Sequence, residues 1–128
     1  MVVNGFSRSF SALMLSALAL ASPSVAAEAC DVTIHFGSYC CGTDLQSHER
    51  IVGYLQQSPD VREFTERPSP QAREGEFDLC ITTKGPGEAR RIFDRAVSII
   101  PVESKSAWTE VTLPGGAHFR TRWPGTSR

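Results

Sequence analysis

The chain has 128 residues, a formal net charge of −1 and four cysteines, which is enough for one small domain. A mildly acidic chain of this size lacks the basic surface that general nucleic-acid binding requires, so we predict no nucleic-acid partner. We also find no metalloprotease, phosphate-binding-loop, dinucleotide or serine-hydrolase motif, and we therefore predict no specific reaction and no cofactor.

The first residues predict a secretory signal peptide. Arg8 precedes the uncharged run Phe10–Ala21, which leads into the small residues "SPSVAA" that a signal peptidase accepts. The run is twelve residues long, whereas a membrane span needs about 20, so we predict no stable membrane anchor. Cleavage after Ala26 or Ala27 would export the protein, to the periplasm or to the medium.

Cleavage divides the chain into a signal peptide, residues 1–26, and a single small domain, residues 27–128. Arg8 is the only charged side chain before Glu28, so the net charge after cleavage is −1 − 1 = −2. An alternative is that Cys30 accepts a lipid. The acidic Glu28 lies where a lipoprotein signal has small residues, which disfavours lipidation.

The first half of the domain begins with a strand and a helix. "CDVTIHFG" alternates, with Val32 and Phe36 on its apolar side, which is typical of a half-buried strand. In "TDLQSHERIVGYLQQSP" the apolar residues recur at helical spacing. Thr43 and Gln46 fit a capping box at the start of this helix, and Pro59 ends it.

Two further strands and a second helix follow. Val61–Glu66 shows only weak alternation and is the least certain strand, whereas "EFDLCITT" alternates clearly. The second helix is predicted in "KGPGEARRIFDRAVSIIP", with Pro86 in its first turn and Pro101 after its end.

The C-terminal residues predict a hairpin, in which "AWTEVTL" and "AHFRTRW" pair around the turn Pro114-Gly115-Gly116. The register that places apolar residues on one side pairs Leu113 with Ala117, Val111 with Phe119, Thr109 with Thr121 and Ala107 with Trp123. It pairs Thr112 with His118, Glu110 with Arg120 and Trp108 with Arg122 on the other side. The alternative is a frayed tail after Leu113.

These elements predict an α+β fold: a two-layer sandwich in which two helices cover one face of an antiparallel sheet of four to five strands. Two amphipathic helices can cover only one face of such a sheet. The simplest arrangement is the ferredoxin-like split βαβ with an added C-terminal hairpin strand. Another two-layer topology with a different strand order is the alternative.

The four cysteines, Cys30, Cys40, Cys41 and Cys80, predict two disulfides, as expected for a short exported chain. A bond between the adjacent Cys40 and Cys41 would close a very small ring, so we expect each to reach another partner. The two arrangements left open are Cys30–Cys40 with Cys41–Cys80, and Cys30–Cys41 with Cys40–Cys80.

A functional role for the cysteines is the main alternative. Metal carriers of the heavy-metal-associated type also place cysteines in the first strand-to-helix loop, but as C-x-x-C, and the adjacent cysteines here depart from that spacing. If Cys80 were reduced, His35 could join it in a metal- or thiol-handling site together with Cys40 and Cys41. Otherwise His35 is an ordinary residue of the sheet surface, and no metal site is predicted.

The face of the sheet without helices is the predicted binding surface, because aromatic and arginine side chains on an exposed face are typical of interaction sites. Its candidate residues are Thr33, His35, Asp78, Trp108, Arg120 and Arg122. We therefore predict a small exported, disulfide-stabilised, non-catalytic binding domain whose partner is a protein or another component of the cell envelope. A simple solvated sheet face is the alternative.

Overall fold

The structure is a computed structural model that describes residues 29–69, 73 and 75–126. The predicted signal peptide lies outside these residues. The elements in chain order are β1 (Val32–Ser38), α1 (Leu45–Gln57), β2 (Val61–Pro68), β3 (Phe77–Thr83), α2 (Pro86–Ile99), β4 (Ala107–Thr112) and β5 (His118–Arg120). They form an α+β sandwich, which confirms the predicted fold class.

The five strands form one antiparallel sheet in the order β2-β3-β1-β4-β5. Its first four strands have the split βαβ arrangement, and β5 is added at the edge by the C-terminal hairpin. Strand β1 is the middle strand of the sheet. Every second residue on its helix-covered side is apolar, and Val32, Ile34 and Phe36 are completely buried. Both helices pack on this side, so the opposite side of the sheet carries the polar residues of each strand.

Helix α2 contributes the predicted apolar stripe to the core, including the buried residues Ala89, Ile92, Phe93 and Ala96. The capping box predicted for α1 is wrong. Asp44 is the N-cap, and its carboxylate accepts hydrogen bonds from the backbone N–H and the hydroxyl of Ser47. Aspartate is as good an N-cap as threonine, and here it lies one residue closer to the first turn.

Strand β2 is longer than the predicted Val61–Glu66, since pairing with β3 continues to Pro68. Its weak alternation has a structural cause, because the register shifts between Val61 and Glu63 and such an irregularity changes which side chains face the core. Beyond it, Glu66 faces the helices and lies 2.8 Å from Nε2 of His48 on α1. His48 is thus half-buried at the edge of the core.

The predicted hairpin register is confirmed at its centre, where Glu110 pairs with Arg120, Val111 with Phe119 and Thr112 with His118. The backbone N–H groups of Leu113 and Thr121 also bond to Ala117 and Thr109, as predicted.

The outer end of the hairpin differs from the prediction. Arg122 exchanges backbone hydrogen bonds with Val102 and Ser104, in the link after α2, and so pairs with Glu103 instead of Trp108. Trp123 contacts Tyr39 and is 44% exposed, so it does not pack beneath the helices opposite Ala107. The link after α2 therefore replaces β4 as the pairing partner at this end of the chain.

The predicted disulfide pairings are wrong. Cys30 is bonded to Cys80, and Cys40 to Cys41. Cys30 precedes β1 and Cys40 follows it, so the strand holds them about 20 Å apart, well beyond the reach of a disulfide. Cys80 lies opposite Thr33, at the Cys30 end of β1, which leaves Cys40 and Cys41 only each other.

Neither helix in the described part of the chain is long and apolar enough to cross a membrane.

Candidate binding site on the sheet face without helices

One row of charged side chains crosses the sheet face without helices. The register of the five strands places Arg67 opposite Asp78, Asp78 opposite His35, His35 opposite Glu110, and Glu110 opposite Arg120. Residues that are direct partners across strands point to the same face, so these five side chains form a continuous line, here called the charged row. Bases and acids alternate along its whole length.

His35 lies at the centre of the charged row between two carboxylates. Its Nδ1 is 2.6 Å from Oδ1 of Asp78, and its Nε2 is 3.0 Å from Oε2 of Glu76. The exposed fractions of the three side chains are only 17% for His35, 10% for Asp78 and 7% for Glu76. A protonated imidazole donates from both nitrogens at once, whereas a neutral one donates from a single nitrogen. His35 is therefore the shared hydrogen-bond partner of two largely buried acidic side chains.

Trp108 lies beside this cluster and connects it to Arg120. Its ring is 4.7 Å from the His35 ring, centroid to centroid, at an interplanar angle of 36°. The guanidinium carbon of Arg120 lies 3.8 Å from the centroid of the Trp108 ring, a cation–π stack. Arg120 makes no ion pair within the described residues, and it is exposed. Its planar fork of N–H donors therefore remains available to a ligand.

A cavity of about 660 Å³ opens above these residues. It is lined by Thr33, His35, Ser38, Tyr39, Ser69, Arg73, Glu76, Asp78, Trp108, Glu110, Thr112 and Arg120. Its volume lies in the range of small-molecule and cofactor sites. The wall combines carboxylates, two guanidinium groups, hydroxyls and two aromatic rings, so it offers both hydrogen-bond donors and acceptors around a flat apolar surface.

The residues predicted for the binding face separate into two groups. Thr33, His35, Asp78, Trp108 and Arg120 all line the cavity. Arg122 does not, because its strand leaves the register and its guanidinium lies 3.9 Å from the carboxylate of Glu103. Arg120, two residues earlier on the same face of the sheet, takes the position over Trp108 that we expected Arg122 to hold.

Seven of the twelve lining residues are absent from the predicted candidates, including Glu110, Glu76 and Tyr39. Glu110 was assigned to the correct face, but only as the partner of Arg120. Glu76 lies in the loop before β3, where no periodicity marks its direction, and Tyr39 follows the end of β1. Only the pairing of β1 with β3 and β4 shows that all three reach the same cavity.

The cysteine arrangement bears on the metal- or thiol-handling alternative. All four cysteines are in disulfides, so none presents a free thiolate that could bind a soft metal or act as a nucleophile. Cys80 lies next to Asp78 on the sheet face, but its sulfur is bonded to Cys30. In the described ranges no three His, Cys, Asp or Glu side chains are grouped so that they could hold a metal ion.

No protein-family model, curated protein or solved structure matches this chain.

Proposed function

We propose that this protein is a small exported, disulfide-stabilised domain that binds a protein or another component of the cell envelope through its sheet face without helices. The observation that carries the proposal is the cavity over the charged row, flanked by the Trp108–Arg120 stack. The domain binds without catalysing a reaction.

The energetics of the charged row support a binding role. Holding carboxylates out of water is costly unless each one is paired, and Asp78 and Glu76 need His35 for that purpose. A purely solvated sheet face needs no such cluster, since threonine or lysine side chains would cover it at lower cost. The cluster creates a polar floor of fixed geometry beneath an open cavity, which is what a specific binding site requires.

The rim of the cavity has the composition of an interaction surface. Tryptophan and arginine are the side chains that most often dominate binding energy, and Trp108 and Arg120 are stacked at the edge of the cavity. The Arg120 guanidinium is held in place by the ring beneath it, so less conformational entropy is lost when it binds a partner. Glu110 beside it adds an acceptor, which favours a partner with both donors and acceptors.

Export is proposed on two grounds. The N-terminal residues have the pattern of a secretory signal peptide. Disulfides such as Cys30–Cys80 persist in the periplasm or outside the cell, where thiols are not kept reduced. A cleaved, soluble domain in either location would meet envelope components directly.

Site-specific photo-cross-linking tests the proposal. A diazirine amino acid at Thr112, which lines the cavity, is compared with the same amino acid at Gln56, which is exposed on α1 behind the sheet. Both variants are expressed with the full chain in the native host and irradiated in intact cells. We expect a discrete cross-linked species from position 112 only, and we expect Arg120→Glu to abolish it.

Equal products from both positions, or products from position 112 that persist in the Arg120→Glu variant, would refute binding through this face. Immunoblots of cell fractions from the same cultures test export separately. A protein that keeps residues 1–26 and stays in the cytoplasm would contradict the proposed location.

A further inference from the structure

The two disulfides lie in very different surroundings. Cys30 and Cys80 are 8% and 7% exposed, and their bond connects chain segments 50 residues apart. Cys40 and Cys41 are both exposed, and their bond connects neighbours in sequence. Only the second bond is open to attack by a thiol from solution.

The Cys40–Cys41 bond does not act as a staple of the fold. A disulfide stabilises a domain mainly by closing a loop in the unfolded chain, and the effect grows with the length of that loop. A bond between adjacent residues closes no loop of chain, so it restricts the unfolded state very little. The bond therefore acts locally, by restraining the backbone conformation of Cys40 and Cys41 and the position of the residues that hydrogen-bond to them.

The local backbone leads directly to the cavity. Ser38 and Tyr39, the two residues before Cys40, both line it. The N–H groups of Tyr39 and Cys40 both donate to the carbonyl oxygen of Ser106, at 2.9 and 3.3 Å. On the far side of the bond, the N–H of Gly42 donates to the Ser38 hydroxyl at 3.1 Å. Backbone hydrogen bonds on both sides of the exposed disulfide therefore connect it to one wall of the cavity.

Opening the bond changes the backbone conformations that Cys40 and Cys41 can adopt. Successive side chains of an extended chain point to opposite faces, and a bond between adjacent sulfurs holds Cys40 and Cys41 away from that arrangement. Reduction removes this restraint on the backbone of the two residues. Tyr39 and Cys40 share one acceptor in Ser106, and Tyr39 also contacts Trp123 at 5.2 Å between ring centroids. The backbone of Cys40 is therefore connected directly to a residue that lines the cavity.

We infer that Cys40–Cys41 is a site of thiol–disulfide exchange, reduced by a dithiol, and that its opening alters the wall of the sheet-face cavity. One thiolate of the dithiol attacks Cys40 or Cys41, forming a mixed disulfide and releasing the other cysteine as a thiolate. The second thiolate of the dithiol then displaces the bound cysteine and closes its own disulfide. Two electrons and two protons pass to the protein, and the dithiol is oxidised.

Limited reduction of the folded protein tests the exchange site. The protein without residues 1–26 is treated with a series of dithiothreitol concentrations, trapped with N-ethylmaleimide and analysed by peptide mass spectrometry. We expect labels at Cys40 and Cys41 to appear at least about tenfold faster than labels at Cys30 and Cys80, because only the first pair is accessible. Equal rates, earlier labelling of Cys30 and Cys80, or free Cys40 and Cys41 before reduction would overturn the assignment.

Tryptophan emission tests the link to the cavity without any ligand. Trp123→Phe leaves Trp108 as the remaining tryptophan and keeps an aromatic ring against Tyr39. In this background we expect selective reduction to shift the Trp108 emission. The matched control, Cys40→Ser with Cys41→Ser, has no bond to open and should not respond to dithiothreitol. Selective reduction with an unchanged Trp108 spectrum would refute the coupling, and a response in the control would assign the shift to the buried disulfide.

Discussion

The indole ring of Trp108 occupies the space that a side chain at Gly37 would fill, and the two residues are direct partners across β1 and β4. The ring can therefore lie flat on the sheet instead of standing away from it. In this position it contacts His35 and supports the Arg120 guanidinium. The absence of a side chain at one position thus organises one side of the cavity.

Gly37→Ala should displace Trp108, because the new Cβ would overlap the six-membered part of its ring. We expect a loss of about 1–3 kcal/mol in the free energy of unfolding, the usual cost of overpacking, together with a red-shifted tryptophan emission. Urea denaturation measures the first effect. The control is Gly53→Ala on α1, where a Cβ meets nothing within 4 Å and should stabilise the helix by up to about 1 kcal/mol. Equal stabilities of the two variants would show that Trp108 does not depend on Gly37.

His35→Ala should destabilise the fold by about 2–5 kcal/mol, because it leaves the largely buried Asp78 and Glu76 without their shared hydrogen-bond partner. His118→Ala is the matched control: His118 is on the same face but exposed, and its loss should cost no more than about 0.5 kcal/mol. Thermal unfolding at neutral pH compares them.

Removing a carboxylate as well should recover part of the loss. We expect His35→Ala with Asp78→Asn to be more stable than His35→Ala alone, since one fewer buried carboxyl group is left without a hydrogen-bond partner. If the second substitution lowers stability further, the acids are held by something other than His35.

Cys30→Ala with Cys80→Ala should lower the free energy of unfolding by about 4 kcal/mol, the chain-entropy value for a bond spanning 50 residues. Cys40→Ser with Cys41→Ser should change it by less than about 1 kcal/mol, because that bond closes no loop. Guanidinium unfolding of the two double variants provides the comparison. Comparable losses would contradict a structural role confined to Cys30–Cys80.

The ion pair between Asp60 and Arg91 predicts a pH dependence in the acid range. Arg91 donates to both oxygens of Asp60, at 2.9 and 3.0 Å, and this hydrogen bonding lowers the pKa of Asp60 below its ordinary 3.8. Since the folded-state pKa is the lower one, the stabilisation is present above about pH 3.8 and is lost as the pH falls through the lowered value.

Arg91→Lys removes the planar fork that contacts both oxygens. We expect the variant to be slightly less stable than the wild type at neutral pH, and the two stability curves to converge as the pH falls through the lowered pKa of Asp60. Arg90→Lys, one residue earlier on α2, leaves the Asp60 contacts intact and should run parallel to the wild type through this range. A wild-type advantage that persists at the lowest pH would show that Arg91 acts through packing and not through the Asp60 carboxylate.

The repeating patterns within single segments were enough to predict most of the architecture. Alternation marks β1 and β3, the apolar stripe marks α2, and the turn Pro114-Gly115-Gly116 sets the hairpin register that pairs Glu110 with Arg120. These features follow from which side chains a strand or helix turns towards the core, and that is encoded over a few neighbouring residues. The face shared by Thr33, His35 and Asp78 could be predicted for the same reason.

The tertiary structure decided what no single segment encodes. The disulfide partners depend on the length of β1, which separates Cys30 from Cys40. The departure of Arg122 depends on backbone hydrogen bonds to Val102 and Ser104 in the link after α2. The charged row requires four strand interfaces to be in register at once, and a slip of one residue at any of them would turn one strand's contribution to the other face. Each strand specifies its own apolar side, but only the pairing of all five brings Arg67, Asp78, His35, Glu110 and Arg120 into one line.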